Sequence, residues 1–420
     1  MSKKINLLYI AEGGMFLSVF DSQVKAFLNH IRPHVSQINL LILEPFYQRR
    51  FKDVIRNAKV SELRSLFDSV TLFKMPPIIG LPSIFWVAKK ITRCIPNINP
   101  DIIHARGHIG SYIGLIIKNK LFKDTPLIAD LRGVPREEFL FHARGKINKL
   151  IIAKIRIVGF DYMEQYVCRE SAHIFCVSES LSYYLKENVE VDGDKITVVP
   201  TCTDTNIFSY DQLKYEKMRT DLGIKDRIVF IYSGSLAPWQ MVKETVELFK
   251  KIKQDIKQVF LLFLTIEPEK AKDIFTNMPT EDYLITSAKY SEVSSYLNAA
   301  DIGILLRERH IVNKVSAPVK IGEYLCCGLP ILISPDIGDL ESQIREYGFG
   351  AIIQNDNHQI IVKKIYDVLK LDRSFISKVG KQLYSLESHS KKVLEVYNNL
   401  YSYKKFNKRI KTTNYIINLK

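Results

Sequence analysis

Short, continuously apolar runs recur along this chain. Each gives way to a charged or glycine-bearing loop, then to a stretch with helical spacing. Residues 5–10 lead into Glu12-Gly13-Gly14, a helix expected over 18–29 and a second run at 38–43. Further runs lie at 101–104, 127–131, 171–177 and 197–200. The pattern restarts at 227–232 and continues through 260–265, 284–287, 301–306, 331–333 and 351–353. Runs apolar on both faces suit buried parallel strands, and strand–helix alternation builds a doubly wound α/β sheet. Two rounds of it in 420 residues suit two domains of ordinary size.

Charge narrows the partners. Sixty Lys and Arg against forty-five Asp and Glu give +15, which favours a polyanion, an anionic membrane surface or phosphorylated substrates. No helix-turn-helix, RNP-like or zinc signature supports nucleic-acid recognition. The six cysteines form no C-x-x-C and no Cys/His zinc spacing, and Cys326-Cys327 is an awkward place for a disulfide. They read as reduced, which suits the cytoplasm. The N-terminal MSKKINLLYIAEGG is too short in apolar residues for a signal peptide, and Glu12 interrupts it, so it reads as a first strand. No apolar run reaches transmembrane length.

Residues 313–335, NKVSAPVKIGEYLCCGLPILISP, read as loop, helix, tight turn and buried strand. Ser316 is placed to cap the helix and Pro318 to sit near its first turn. Ile321, Tyr324 and Leu325 recur at helical spacing over 319–327. Gly328 suits the stop, and Pro330 forbids continuation. Lys320 and Glu323 then share a face in the first turns. A helix N-terminus favours phosphate, a nearby lysine adds charge, and a carboxylate one turn on accepts hydrogen bonds from two sugar hydroxyls. Phosphate plus ribose describes a nucleotide. The same stretch also reads as a capped surface helix with an i,i+3 ion pair.

SAPVKIGEYLCCGLPIL resembles the nucleotide-sugar motif of the GT4 family of retaining glycosyltransferases, with Glu323 at the second of the family's two glutamates. The resemblance implies the GT-B architecture: α/β, two Rossmann-like domains facing across a cleft, and a C-terminal helix packing back on the first domain. VVPTCTDTNIF is similar to the family's interdomain connection and sets a boundary near Phe208. Residues 1–208 are then an acceptor-side domain, 209–387 the nucleotide-sugar domain, and 388–420 a crossover helix and basic tail. Implied nucleotide-sugar contacts are Gly13, Gly14, Gly234, Ser235, Gln240, Ser316, Lys320 and Glu323. Trp239 reads as a packing or base-stacking residue.

The chain departs from the family pattern at three places. Val315 stands where the first glutamate belongs, and Ser235 and Gln240 stand where an Arg and a Lys are usual. Lys320, with Arg307, Arg309 and Lys314, is available as replacement charge. In the first domain His104, Arg106, His108, Asp130 and Arg132 fall at strand C-terminal ends, where open α/β sheets bind ligands. Arg132 takes roughly the place of a family histidine, to steady the departing phosphate or orient the acceptor, and Asp130 is a candidate to accept the acceptor's proton. Asp192-Gly193-Asp194 matches D-x-D but reads as turn chemistry, so no metal and no cofactor is expected.

The implied function is transfer of a sugar from a nucleotide-diphosphate sugar to a growing glycan, such as a lipid-linked O-antigen or capsule. A catalytically silent GT-B subunit and a sugar-nucleotide epimerase are the alternatives. Basic residues Arg144, Lys146, Lys149, Lys154 and Arg156 alternate with isoleucines and leucines, and 78–86 (IIGLPSIFW) lies upstream. Both segments suit contact with anionic lipid at the inner face of the plasma membrane, or a core helix with snorkelling lysines.

Overall fold

A computed structural model describes residues 5–17, 19–78, 80–95, 98–144 and 150–417, with the backbone alone for 49–50, 150–155 and 407–417. Lys146 and Lys149 of the basic segment lie outside the described residues. The chain forms two compact units: Met1–Pro200 with His389–Lys420, and Thr201–Ser388.

The first unit holds β1 Ile5–Glu12, β2 Val35–Glu44, β3 Ser69–Lys74, β4 Ile102–Arg106, β5 Leu127–Leu131, β6 His173–Cys176 and β7 Ile196–Val198. They form one sheet in the order β3-β2-β1-β4-β5-β6-β7, parallel throughout. The second unit holds β8 Ile228–Ser233, β9 Val259–Leu264, β10 Tyr283–Thr286, β11 Ile302–Leu305, β12 Ile331–Ile333 and β13 Gly350–Ile352. Their order is β10-β9-β8-β11-β12-β13, again parallel.

Period-two alternation sends successive residues of each strand to opposite faces. In β8, Val229 and Ile231 join one core while Phe230 and Tyr232 join the other. In β9, Leu262 and Leu264 go one way, Leu261 and Phe263 the other. Helices cover both faces, which is why these strands are apolar at nearly every position. In each sheet the order reverses once, at β1/β4 and at β8/β11. The loops leaving those strands flank the crevice where such sheets take ligands.

Two expectations about boundaries need correction. The division falls at Pro200, ahead of Phe208. Thr203 bridges to Ser385, and Phe208 is wholly buried against Tyr290 within the second unit. The segment expected as a crossover helix and a basic tail is one helix over Leu386–Ile417, and from His389 onward it belongs to the first unit. It is anchored there by Tyr397, whose hydroxyl is 2.6 Å from Nδ1 of buried His104. Lys404 of that helix is tied to the first unit: its ammonium donates to the Pro100 carbonyl at 2.9 Å and to Thr125 Oγ1 at 3.1 Å.

Candidate functional site

The helix Val319–Cys326 follows its sequence closely. Its N-cap is Pro318, in extended backbone. Ser316 does not cap it, because its hydroxyl is already committed, donating to the Asn313 carbonyl at 2.8 Å. At the other end Gly328 adopts φ 68°. Leu329 N–H reaches the Tyr324 carbonyl at 3.0 Å and Gly328 N–H the Leu325 carbonyl at 2.9 Å, closing the last turn.

Lys320 and Glu323 are both 8% exposed. No salt bridge joins them. Lys320 turns instead to the loop after β8: Nζ donates to Gln240 Oε1 at 3.1 Å and lies 4.3 Å from the centroid of the Tyr232 ring. Gly234, with φ 154°, makes the room. A Cβ there would lie 2.7 Å from the ammonium. The ammonium therefore reaches the loop in which Ser235 and Gln240 replace the expected cations. Gln240 presents its side chain from a short 3-10 turn, Pro238–Gln240, and Ser235 offers its carbonyl to the Tyr232 hydroxyl at 2.6 Å. Tyr324, on the helix, accepts the Ser233 N–H at 2.8 Å and pins strand end to helix.

Across the reversal point, Arg307 follows β11. It is 7% exposed, its guanidinium donates to the Trp239 carbonyl at 3.4 Å, and its Nε is buried with no partner among the described residues. Arg309 is turned away in an ion pair with Asp336 at 2.6 Å, and Lys314 is exposed. Of the replacement cations, Arg307 and Lys320 are thus the ones built into the site. Val315 is 1% exposed, so a carboxylate is absent there by substitution of a core residue.

The electrostatics are those of a site short of an anion. Burial, then Arg307, pushes the Lys320 pKa well below that of a free lysine, with Glu323 opposing the shift. Burial pushes the Glu323 carboxyl up to about 7, against Lys320. Burial likewise lowers Arg307 to about 10. Among the described residues no hydrogen bond reaches the Glu323 carboxylate. Two buried cations and an uncommitted carboxyl on one helix turn match a diphosphate and a diol in chemistry.

Gly13 and Gly14 belong to the first unit. Their φ values are 94° and 77°, and the space beside Gly14 is taken by Gln48, whose Nε2 donates to the Gly13 carbonyl at 2.8 Å. Asp130 is 1% exposed and central to a cluster: Arg132 reaches it at 2.5 Å, Arg106 at 3.4 Å and His104 at 3.5 Å. Burial alone would raise its pKa, but Arg132, His104 and Arg106 outweigh that and hold it well below the carboxylate range. So placed, Asp130 is a buried counter-charge to Arg132 and Arg106. The first sheet's reversal point also presents Glu12, which accepts Gly110 N–H at 2.9 Å, and buried His108, whose Nε2 is 3.5 Å from Glu164. His108 was legible as part of HARGHIG; its pairing with Glu164 has no local sequence signal. Asp192-Gly193-Asp194 is the turn expected, with Asp192 Oδ1 accepting Asp194 N–H at 3.0 Å.

Two family models match in tandem: one described as Glycosyltransferase Family 4 over residues 44–207, and one as Glycosyl transferases group 1 over 214–382. Among curated proteins, none matches the chain by sequence. Solved structures share the fold over nearly the whole chain. Anabaena HepE in complex with UDP and glucose superposes with a TM-score of 0.64 at 14% identity, covering 94% of this chain and 99% of its own. Sucrose-phosphate synthase from Thermosynechococcus elongatus gives 0.66 at 12% identity, covering 95% and 100%. WaaG, a glycosyltransferase involved in lipopolysaccharide biosynthesis, gives 0.63 at 12% identity, covering 93% and 99%.

Proposed function

Since the chain belongs to the GT4-like glycosyltransferases of the GT-B fold, we propose that it transfers a sugar, with retention at the anomeric carbon, from a nucleotide-diphosphate sugar to a lipid-linked glycan at a membrane surface. The observation that carries the donor assignment is the second unit's reversal point. Lys320 and Arg307 converge there from two elements, beside an unbonded Glu323. In this reading the two cations bind the diphosphate and stabilise the charge that grows as it departs. Glu323 accepts from the ribose hydroxyls. Gln240 and Ser235 add polar contacts where the family commonly has cations. The acceptor oxygen bonds to the anomeric carbon on the face the phosphate leaves, and its proton passes to the leaving phosphate oxygen. No protein nucleophile is required.

The membrane assignment is supported by helix Leu81–Ile91. It buries Ile84, Val87, Ala88 and Ile91, and turns Phe85, Trp86, Lys89 and Lys90 outward. Aromatic and lysine side chains on one exposed face suit an anionic lipid interface. Among the described residues no helix is long and apolar enough to cross a membrane.

The buried Val315 supports a second reading, a silent subunit that has lost donor chemistry. A thermal-shift screen against UDP, GDP, CMP, ADP and their sugar conjugates separates the two. A ligand bound to the folded state raises the melting temperature by mass action. One nucleotide is expected to stabilise the wild type and to lose that effect in Lys320→Ala and Glu323→Ala. No stabilisation at millimolar concentration would leave the silent-subunit reading.

A further inference from the structure

The first unit contains a cavity of about 200 Å³ between helix Leu81–Ile91, the start of helix His108–Leu121 and helix Leu150–Glu170. Leu81, Ile84, Ile109, Phe160 and Met163 make its walls, and among the described residues Arg156 is the one charged side chain lining it. Its lining is almost wholly apolar and it opens to the surface, so it suits a hydrocarbon chain entering from outside.

Three placements identify the occupant. Arg156 donates to the Ile78 carbonyl at 2.5 Å, while its Nε is buried with no partner among the described residues. An anionic oxygen would satisfy it. The outer face beside the cavity carries Phe85, 54% exposed, and Trp86, 49% exposed, with Lys89 and Lys90. Ile109 and Met163 adjoin His108 and Glu164 in sequence, and those two face each other at 3.5 Å beside the first sheet's reversal point. The space therefore lies between a membrane-suited face and residues next in sequence to the His108–Glu164 pair.

We infer that this cavity holds the single hydrocarbon chain of a lipid phosphate, the anchor of the acceptor, with Arg156 on its phosphate. The inference rests on the transferase reading above for the word acceptor, but not for the binding itself. The volume admits a segment of roughly eight carbons of one chain, which favours a single-chain prenyl-type phosphate over a two-chain phospholipid.

Equilibrium dialysis of the full chain against radiolabelled farnesyl monophosphate below its micelle concentration tests it, with farnesol, inorganic phosphate and phosphatidylglycerol vesicles as competitors. Saturable one-to-one binding is expected. Gly159→Leu is expected to weaken it at least tenfold. Gly159 lines the cavity inside a helix, and the nearest atom to an added Cβ is Leu81 Cγ at 3.4 Å, so leucine fills the space without disturbing the helix. Arg156→Gln is expected to abolish the preference for farnesyl phosphate over farnesol. Unchanged affinity in Gly159→Leu, no saturable binding, or equal displacement by phosphatidylglycerol would each overturn the inference. Nucleotide stabilisation of the same preparations separates failures. Prenyl binding without nucleotide binding counts against the transferase reading alone; the converse counts against the cavity alone.

Discussion

At the scale of single residues, Glu323 carries the sharpest consequence. Its carboxyl pKa in the folded chain is raised from 4.5 to about 7, chiefly by burial. A raised carboxyl pKa contributes stability that is complete below 4.5 and lost as pH rises through about 7, because the folded state holds the proton the unfolded state has released. At 1.36 kcal/mol per unit the difference is on the order of 3 kcal/mol. Glu323→Gln fixes the uncharged form, so the variant should be more stable than wild type at pH 8 and should lose the stability slope between pH 4.5 and 7. Urea titrations across that range check it. The ribose needs the ionised form, so nucleotide affinity of the wild type should rise from pH 6 to 8 and stay low in the variant. The spacing of Lys320 and Glu323 was readable in the sequence. What it hides is that they do not pair: i,i+3 spacing is compatible with a surface ion pair, whereas burial of both and the turn of Lys320 towards Gln240 depend on a loop eighty residues away.

At the scale of elements, the Lys320 helix is held from behind by helix Arg373–Tyr384. Small residues set the approach. A Cβ on Gly322 would lie 2.3 Å from Thr203 Oγ1 and 2.9 Å from Tyr384 Cβ; one on Gly380 would lie 2.5 Å from the Leu325 carbonyl carbon. Ser377 adds a hydrogen bond to the Cys326 carbonyl at 2.7 Å. Gly380→Val must push the helices apart, because the obstructing atoms are backbone. A loss of about 3 kcal/mol or more is expected in denaturant unfolding, with nucleotide affinity falling although no site residue has changed. The start, stop and following strand of the Lys320 helix were legible from Pro318, Gly328 and Pro330, since each acts locally. Its supporting helix buries Ile376, Val379 and Tyr384 at helical spacing in the same core; the close approach that Ser377 and Gly380 permit has no local sequence signal. Strand Ser69–Lys74 escaped because it lies at the sheet edge, and of its residues Val70 alone is buried.

At the scale of the whole molecule, the two rounds of parallel sheet were written in the apolar runs, and the family pattern in residues 313–335. The unit boundary was not, because residues 201–208 are committed by a bridge to Ser385 and by the burial of Phe208, both contacts with chain far downstream. The return of the C-terminal helix to the first unit was implied by the family resemblance, but the contact that anchors it, Tyr397 on His104, joins residues nearly three hundred apart and has no local signal. The central claim is that the second unit binds a nucleotide diphosphate through Lys320 and Arg307 in place of the missing loop cations. Calorimetric titration of the stabilising nucleotide into wild type, Lys320→Ala and Arg307→Ala tests it most directly. Hydrogen bonds to charged groups contribute about 1.5–3 kcal/mol each, so each variant should bind roughly 10- to 100-fold more weakly. Affinity unchanged in both variants, with folding intact, would place the nucleotide elsewhere and contradict the account.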